Sequence, residues 1–294
     1  MKKFLQFFIG LLVTFTLVNI LYLLLLPHID WEFIKAREAL AFKNQRIKLL
    51  VFGNSTAMDA VNTQLLSDKV GSAYNFSVGG SSLQTNYTQL SEYLNQNEKP
   101  EKVLLFLNSG HWNYAEFFGV NPIVEYYYND SLKFEGLKDI PLFRFRWLFI
   151  VNFKKLISAD HRNAQIVKGQ LRFNRVVPDN SSIKNEPIVC GDNNFYNSEG
   201  YEYMWRIASL CKIRNINLEV FELPCWKQAQ NECPDLILHG TATNNSLDLT
   251  IHNLNNYSKC DTLLDPKKDW LSTNHLNYAG SIKITEEIIR ILNR

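Results

Sequence analysis

Cysteine is absent from the first 189 residues, and the five that follow (Cys190, Cys211, Cys225, Cys233 and Cys260) form no C-x-x-C pair. Paired thiols at that spacing are the common signature of a structural zinc site. Their absence argues against one. Charge of one sign is lacking too: 31 Lys and Arg face 29 Asp and Glu, a formal +2. That balance implies no polyanion partner and no nucleic acid. No internal repeat or low-complexity tract is present. Between Lys3 and His28 there is no charged residue at all.

That uncharged run is the first positive feature. From Phe4 to Leu26 only Gln6, Thr14, Thr16 and Asn19 interrupt the apolar residues. Twenty-three helical residues rise roughly 35 Å, enough for a hydrocarbon core of about 30 Å. Lys2 and Lys3 precede it, so the positive-inside rule keeps the N-terminus cytoplasmic and exports the remainder. A cleaved signal peptide is the rival, but the run ends Leu-Leu-Leu-Leu-Pro-His without a small-x-small cleavage site. The expectation is a single-pass anchor in a bacterial cytoplasmic (inner) membrane, with the C-terminal domain periplasmic or extracellular. Sequons at Asn54 and Asn75 fit the bacterial setting. In a eukaryotic secretory pathway a glycan on Asn54 would cover the neighbouring serine. Export permits disulfides. Cys225 and Cys233 flank a short polar loop and are the expected pair, with Cys211, in an apolar helical pattern, left unpaired.

The expected organisation is an anchor over 1–29, a helical connector over 30–45 and an α/β domain over 46–294 with an insertion at about 112–195. Strands are expected at 47–52, 73–78, 102–107 and 217–223. Helices are expected at 57–66, 81–94, 198–214 and 278–292. Such alternation belongs to a mostly parallel sheet covered by helices, a three-layer α/β/α fold of flavodoxin-like type. Within the insertion, residues 141–157 combine Phe143, Trp147, Leu148, Phe149, Ile150 and Phe153 with Arg144, Arg146, Lys154 and Lys155. This segment reads as a helix packed on the domain or as one lying on a membrane surface.

Three short motifs carry candidate chemistry. Phe52-Gly53-Asn54-Ser55 ends the first strand and puts a serine at the carboxyl edge of the sheet, where open α/β folds bind ligands. Serine there also serves as an ordinary helix cap. Gly79-Gly80 follows the second strand and lets backbone N–H groups approach a ligand, or simply makes a strand–helix turn. His275, in Asn274-His275-Leu276-Asn277-Tyr278-Ala279-Gly280, precedes the last helix. It can return to the same edge as a general base, or be a structural histidine.

Together these motifs resemble the SGNH/GDSL-type hydrolase family, in its membrane-tethered bacterial branch. Phe-Gly-Asn-Ser resembles the first block, which usually reads Gly-Asp-Ser and carries the nucleophile. Gly79 resembles the glycine of the second block, and His275 to Gly280 resembles the block with the catalytic histidine. The match spans about residues 46–110 and 196–292. The resemblance implies a Ser55 nucleophile, a His275 base, and an oxyanion held by the N–H groups of Ser55 and Gly79. In the third block it implies an asparagine, for which Asn108 or Ser109 stands. The family's acid lies three residues before the histidine, where this chain has Ser272. Asp269, six before, is the nearest carboxylate and the expected orienting acid; a backbone carbonyl or Ser272 are the alternatives. The implied activity is a serine acyl-esterase or O-acyltransferase on a cell-envelope or extracellular polysaccharide, with no metal or organic cofactor expected. The rival is an inactive scaffold that binds glycan or an envelope protein through the aromatic insertion around Trp112, Tyr114 and Tyr126 to Tyr128.

Overall fold

The computed structural model describes residues 1–29, 31–107, 141–144, 150, 164–174, 199–225, 236–242, 245–255, 260, 262–272 and 274–294. In chain order the helices are α1 (Lys2–Ile29), α2 (Trp31–Leu40), α3 (Ser55–Ala60), α4 (Thr63–Lys69), α5 (Leu83–Gln96), α6 (Pro141–Arg144), α7 (Glu199–Ile213) and α8 (Tyr278–Leu292). The strands are β1 (Leu49–Phe52), β2 (Ala73–Asn75), β3 (Lys102–Leu107), β4 (Ala164–Val167), β5 (Gln170–Phe173), β6 (Asn217–Glu222), β7 (Leu236–Ala242) and β8 (Asn245–Asn253).

Six strands form one sheet in the order β2-β1-β3-β6-β8-β7. All its pairings are parallel except β7 with β8. The apolar strand segments of the sequence account for the buried centre. Leu49 to Phe52 and Val103 to Leu107 are each at most 2% exposed, as strands covered on both faces must be. Alternate residues divide between two apolar clusters. Leu50, Phe52, Val103 and Leu105 pack with Leu83 and Leu90 of α5 and Met204 and Ile207 of α7. Leu49, Val51, Leu104 and Phe106 pack with Ala57 and Ala60 of α3, Leu66 of α4 and Ile284 and Ile288 of α8.

Two departures from the sequence reading bear on function. The helix expected at 57–66 is two helices. Val61 turns extended, and Asn62 caps α4 by accepting from Leu65 N–H, which isolates a six-residue α3. The region after residue 223, read as loop-rich, contains the β7–β8 hairpin, whose second strand pairs with β6. Cys211 is a buried free thiol in α7, and burial pushes its pKa up to about 12. The expected Cys225–Cys233 bridge involves Cys233, which lies outside the described residues, as do Cys190, Asn108 and most of the insertion.

The apolar helix is present as α1, and Lys2–Leu25 is long and apolar enough to cross a membrane. The connector is not a loose tether. Ala39 of α2 belongs to the core, and Phe42 packs edge-on to Tyr74 at 4.7 Å. Lys35 is 2% exposed and donates to the Ser77 carbonyl.

Candidate active site

β1 pairs with β2 on one side and β3 on the other, so the chain's winding reverses beside β1. In doubly wound sheets the crevice at such a reversal, past the carboxyl ends of the strands, is the ligand site. Gly53 leaves β1 there, and a side chain at this position would crowd Ala57 and the Phe106 carbonyl. Asn54 is the N-cap of α3. Its Oδ1 accepts from Thr56 N–H at 3.0 Å and from the Thr56 hydroxyl at 2.7 Å. Capping therefore falls to Asn54, in the position where the resembled family carries Asp, and not to Ser55.

Ser55 Oγ lies 3.4 Å from His275 Nε2. That separation is long for an O–H···N bond, but contacts of this kind are commonly loose without substrate. The other ring nitrogen, Nδ1, lies 2.6 Å from Asp59 Oδ2. An ionised carboxylate only accepts, so Nδ1 carries the proton and Nε2 is left to accept from the serine hydroxyl. Ser55 and Asp59 stand four residues apart on α3, one turn along the same face, and the imidazole spans them. Asp59 is 4% exposed, while the His275 side chain keeps 24% of its surface open. Burial raises the Asp59 pKa; the hydrogen bond and charge of His275, and then the charge of Lys35, pull it partly back. Asp59 Oδ1 is buried without a hydrogen-bond partner among the described residues.

The carboxylate expected against His275 was that of Asp269, and here the structure differs. Asp269 Oδ2 accepts from Lys283 Nζ and from Asp265 N–H, each at 2.6 Å. Its role is to shape the loop that delivers the histidine. Asn277 N–H bonds the Asp269 carbonyl, Leu271 N–H bonds the His275 carbonyl, and Trp270 bridges to Leu276. Ser272 is turned to Asn274 Oδ1. The one sequence signal for Asp59 was its i, i+4 spacing from Ser55.

The glycine turn lies beside the same strand end. Ser81 Oγ and Asn86 Nδ2 both donate to the Gly53 carbonyl, at 2.7 and 3.3 Å, which ties the Gly79-Gly80 turn to the residue two before Ser55. Asn108 lies outside the described residues. Among the described residues no group of three His, Cys, Asp or Glu side chains is placed to hold a metal ion.

A segment of the insertion reaches the site unannounced by the sequence. β4 and β5 form a hairpin with Lys168 and Gly169 both at positive φ, as a two-residue turn of type I′ requires. The turn docks on β2: Asn75 N–H donates to the Lys168 carbonyl at 3.0 Å, and a side chain at Gly169 would overlap the Asn75 carbonyl. Gln170, fully buried, donates through Nε2 to the Asp59 carbonyl at 3.2 Å and to Ser281 Oγ at 3.1 Å. Arg172 bonds Gln170 Oε1 and Asn62 Oδ1, and stacks over Tyr278.

No protein-family model matches the chain, and no curated protein is significantly similar to it. Among solved structures, one from Streptococcus pneumonia, provisionally described as a platelet activating factor, aligns at 13% identity. The alignment covers 94% of this chain and 98% of that one, with a TM-score of 0.40. A likeness that loose carries neither fold nor function to this chain.

Proposed function

We propose that this chain is a membrane-anchored serine acyl-esterase or O-acyltransferase of SGNH-like architecture, acting on an acyl ester of a cell-envelope or extracellular polysaccharide. The observation that carries the reading is the continuous set Ser55 Oγ–His275–Asp59, at 3.4 and 2.6 Å, past the carboxyl end of β1. A hydroxyl, a base and an acid that fixes the base's tautomer are the parts that acyl transfer needs. The apolar clusters on the two sheet faces support the three-layer arrangement, and α1 supports the anchor.

In this reading Ser55 Oγ attacks the ester carbonyl while its proton passes to His275 Nε2. The imidazolium is held by Asp59. The N–H groups of Ser55 and Gly79 serve the oxyanion of the tetrahedral intermediate. As the C–O bond breaks, His275 returns the proton to the departing alcohol and leaves an acyl-serine. Water or a sugar hydroxyl then attacks that ester with His275 again as base, giving hydrolysis or transfer. The inactive-scaffold reading drew on the missing acid before His275 and on the displaced third-block asparagine; Asp59 stands against the first ground, and Asn108 lies outside the described residues.

The test is labelling of the purified protein with a serine-directed fluorophosphonate, together with hydrolysis of an aryl acetate. Wild type is expected to react in both assays, and Ser55→Ala in neither. Labelling that persists in Ser55→Ala would exclude Ser55 as nucleophile.

A further inference from the structure

An asparagine in an otherwise apolar helix needs partners wherever water is absent, because an unsatisfied amide in hydrocarbon is costly. Asn19 has them. Its Nδ2 donates to the Phe15 carbonyl at 2.9 Å, one turn back in α1. Its Oδ1 accepts from Leu142 N–H of α6 at 3.0 Å. Asn19 is 7% exposed and Tyr22, one turn on, 6%, while most of α1 is open. Beside this bond Phe143 meets Phe15, with ring centroids 6.2 Å apart. A piece of the insertion, 123 residues away in sequence, is thus seated on the apolar helix itself.

Depth follows from the rise of a helix. Asn19 precedes Leu25, the outer end of the apolar span, by six residues, or about 9 Å. If α1 spans the bilayer, the α6 contact lies among the acyl chains of the outer leaflet. The surface of the segment agrees. Among the described residues, the exposed large hydrophobics outside α1 are Phe143 (46%), Ile150 (54%) and Ile213. Phe143 belongs to α6, the helix that touches α1. Arg144 ends α6, and Arg146, Lys154 and Lys155 follow it in the sequence.

We propose that α6, Pro141–Arg144, forms a second membrane contact, lodged in the outer leaflet against α1 through the Asn19–Leu142 bond, with the lipid bilayer as partner. The proposal rests on the anchor reading of α1 and is independent of the serine chemistry.

The test uses the full chain in nanodiscs of phosphatidylethanolamine and phosphatidylglycerol. Trifluoromethyl-phenylalanine replaces Phe143 in one sample and Phe8 of α1 in another, and the fluorine signals are read with dissolved oxygen, which enters hydrocarbon, and with a nickel chelate, which stays in water. The expected result is that both positions are broadened by oxygen and spared by nickel. Nickel broadening at 143 with Phe8 spared overturns the second contact and leaves the anchor standing. Nickel broadening at both positions overturns the anchor and the contact with it. Asn19→Leu removes the acceptor for Leu142 N–H. It is expected to raise nickel access at 143 about threefold, the equilibrium factor of an average hydrogen bond between membrane segments, with Phe8 unchanged. An unchanged 143 signal in that variant overturns the seat on α1.

Discussion

Asp59 and Asp269 are both buried carboxylates, 4% and 1% exposed, and the difference between their partners assigns their work. Asp269 has an ammonium and a backbone N–H on one oxygen, an arrangement that holds a loop together. Asp59 spends one oxygen on the His275 ring and leaves the other without a partner among the described residues, a costly arrangement for stability alone. Asp59→Asn is therefore expected to lower kcat by about 10⁴ with KM little changed, the scale on which losing the orienting acid of a serine triad acts. Asp269→Asn is expected to retain kcat within a few-fold but to lose about 1–3 kcal/mol of stability. Steady-state kinetics and thermal melts on the two variants separate the roles. Stability against pH gives a second check on Asp59. Because burial raises its folded pKa, the native chain holds the proton more tightly than the unfolded chain does. Wild-type stability from this group then falls as pH rises from the ordinary value of 3.8 through the raised folded value, and is level above it. Asp59→Asn does not titrate there, so its stability relative to wild type is expected to climb across that window. Ser55 and His275 were legible because each sits in a short motif at the end of a recognisable element. Asp59 was not, because an orienting acid need only share a helix face with the nucleophile, and no sequence neighbour of the histidine marks it.

At the scale of elements, the site depends on a helix too short to hold its own position. Six residues barely exceed the nucleus of a helix, so α3 is defined by what packs on it. Its carbonyls are claimed by side chains from other segments: that of Ala57 by Asn75 Nδ2 at 3.0 Å, and that of Asp59 by Gln170. Gln170 also bonds Ser281 on α8, the helix that follows His275, and so links the acid's backbone to the base's element. Gln170→Met keeps the side chain's length and removes its donors. It is expected to lower kcat about tenfold or more with little change in KM, since small misplacement of catalytic groups is costly. Leu90→Ala, in the apolar cluster on the opposite sheet face, is the control. It is expected to cost about 2–5 kcal/mol of stability while leaving kcat near wild type. An equal fall of kcat in both variants would make Gln170 an ordinary core residue. The β4–β5 hairpin was hidden because its turn is Lys168-Gly169, and lysine at positive φ carries none of the Asn-Gly or Asp-Gly signal that marks such turns. The break of the 57–66 helix was hidden because its apolar helical spacing runs on across Val61 and Asn62; Asn62 caps α4 through its own Oδ1, and its N–H donates to Thr285 Oγ1 of α8 at 2.8 Å.

At the scale of the whole molecule, the N-terminal α2 packs into one apolar cluster of the sheet and the C-terminal α8 into the other. The mostly parallel sheet and its apolar strands were legible from the alternation of elements, and the long apolar helix from its length and lack of charge. The path between them was not, since Lys35 to Lys48 read only as a charged connector. In the structure α2 closes against the domain. Ala39 enters the core, Tyr74 Oη donates to Glu38, and Lys35 donates to the Ser77 carbonyl and brings its charge to Asp59. Two shortened chains make this measurable, one starting at residue 31 and one at residue 46. The chain from 31 is expected to keep its melting temperature and activity. The chain from 46 loses Ala39, Phe42 and Lys35 together. It is expected to be less stable by about 3 kcal/mol, the scale of one aromatic core truncation, and to melt about 6–12 °C lower. Without the Lys35 charge, the Asp59 carboxyl moves further above its ordinary value, so the acid limb of kcat/KM is expected to shift to higher pH. The other charged group acting on Asp59, His275, is the same in both chains. A chain from 46 that loses stability but keeps the wild-type pH profile would make α2 packing alone. A shifted profile makes α2 part of the site's electrostatics.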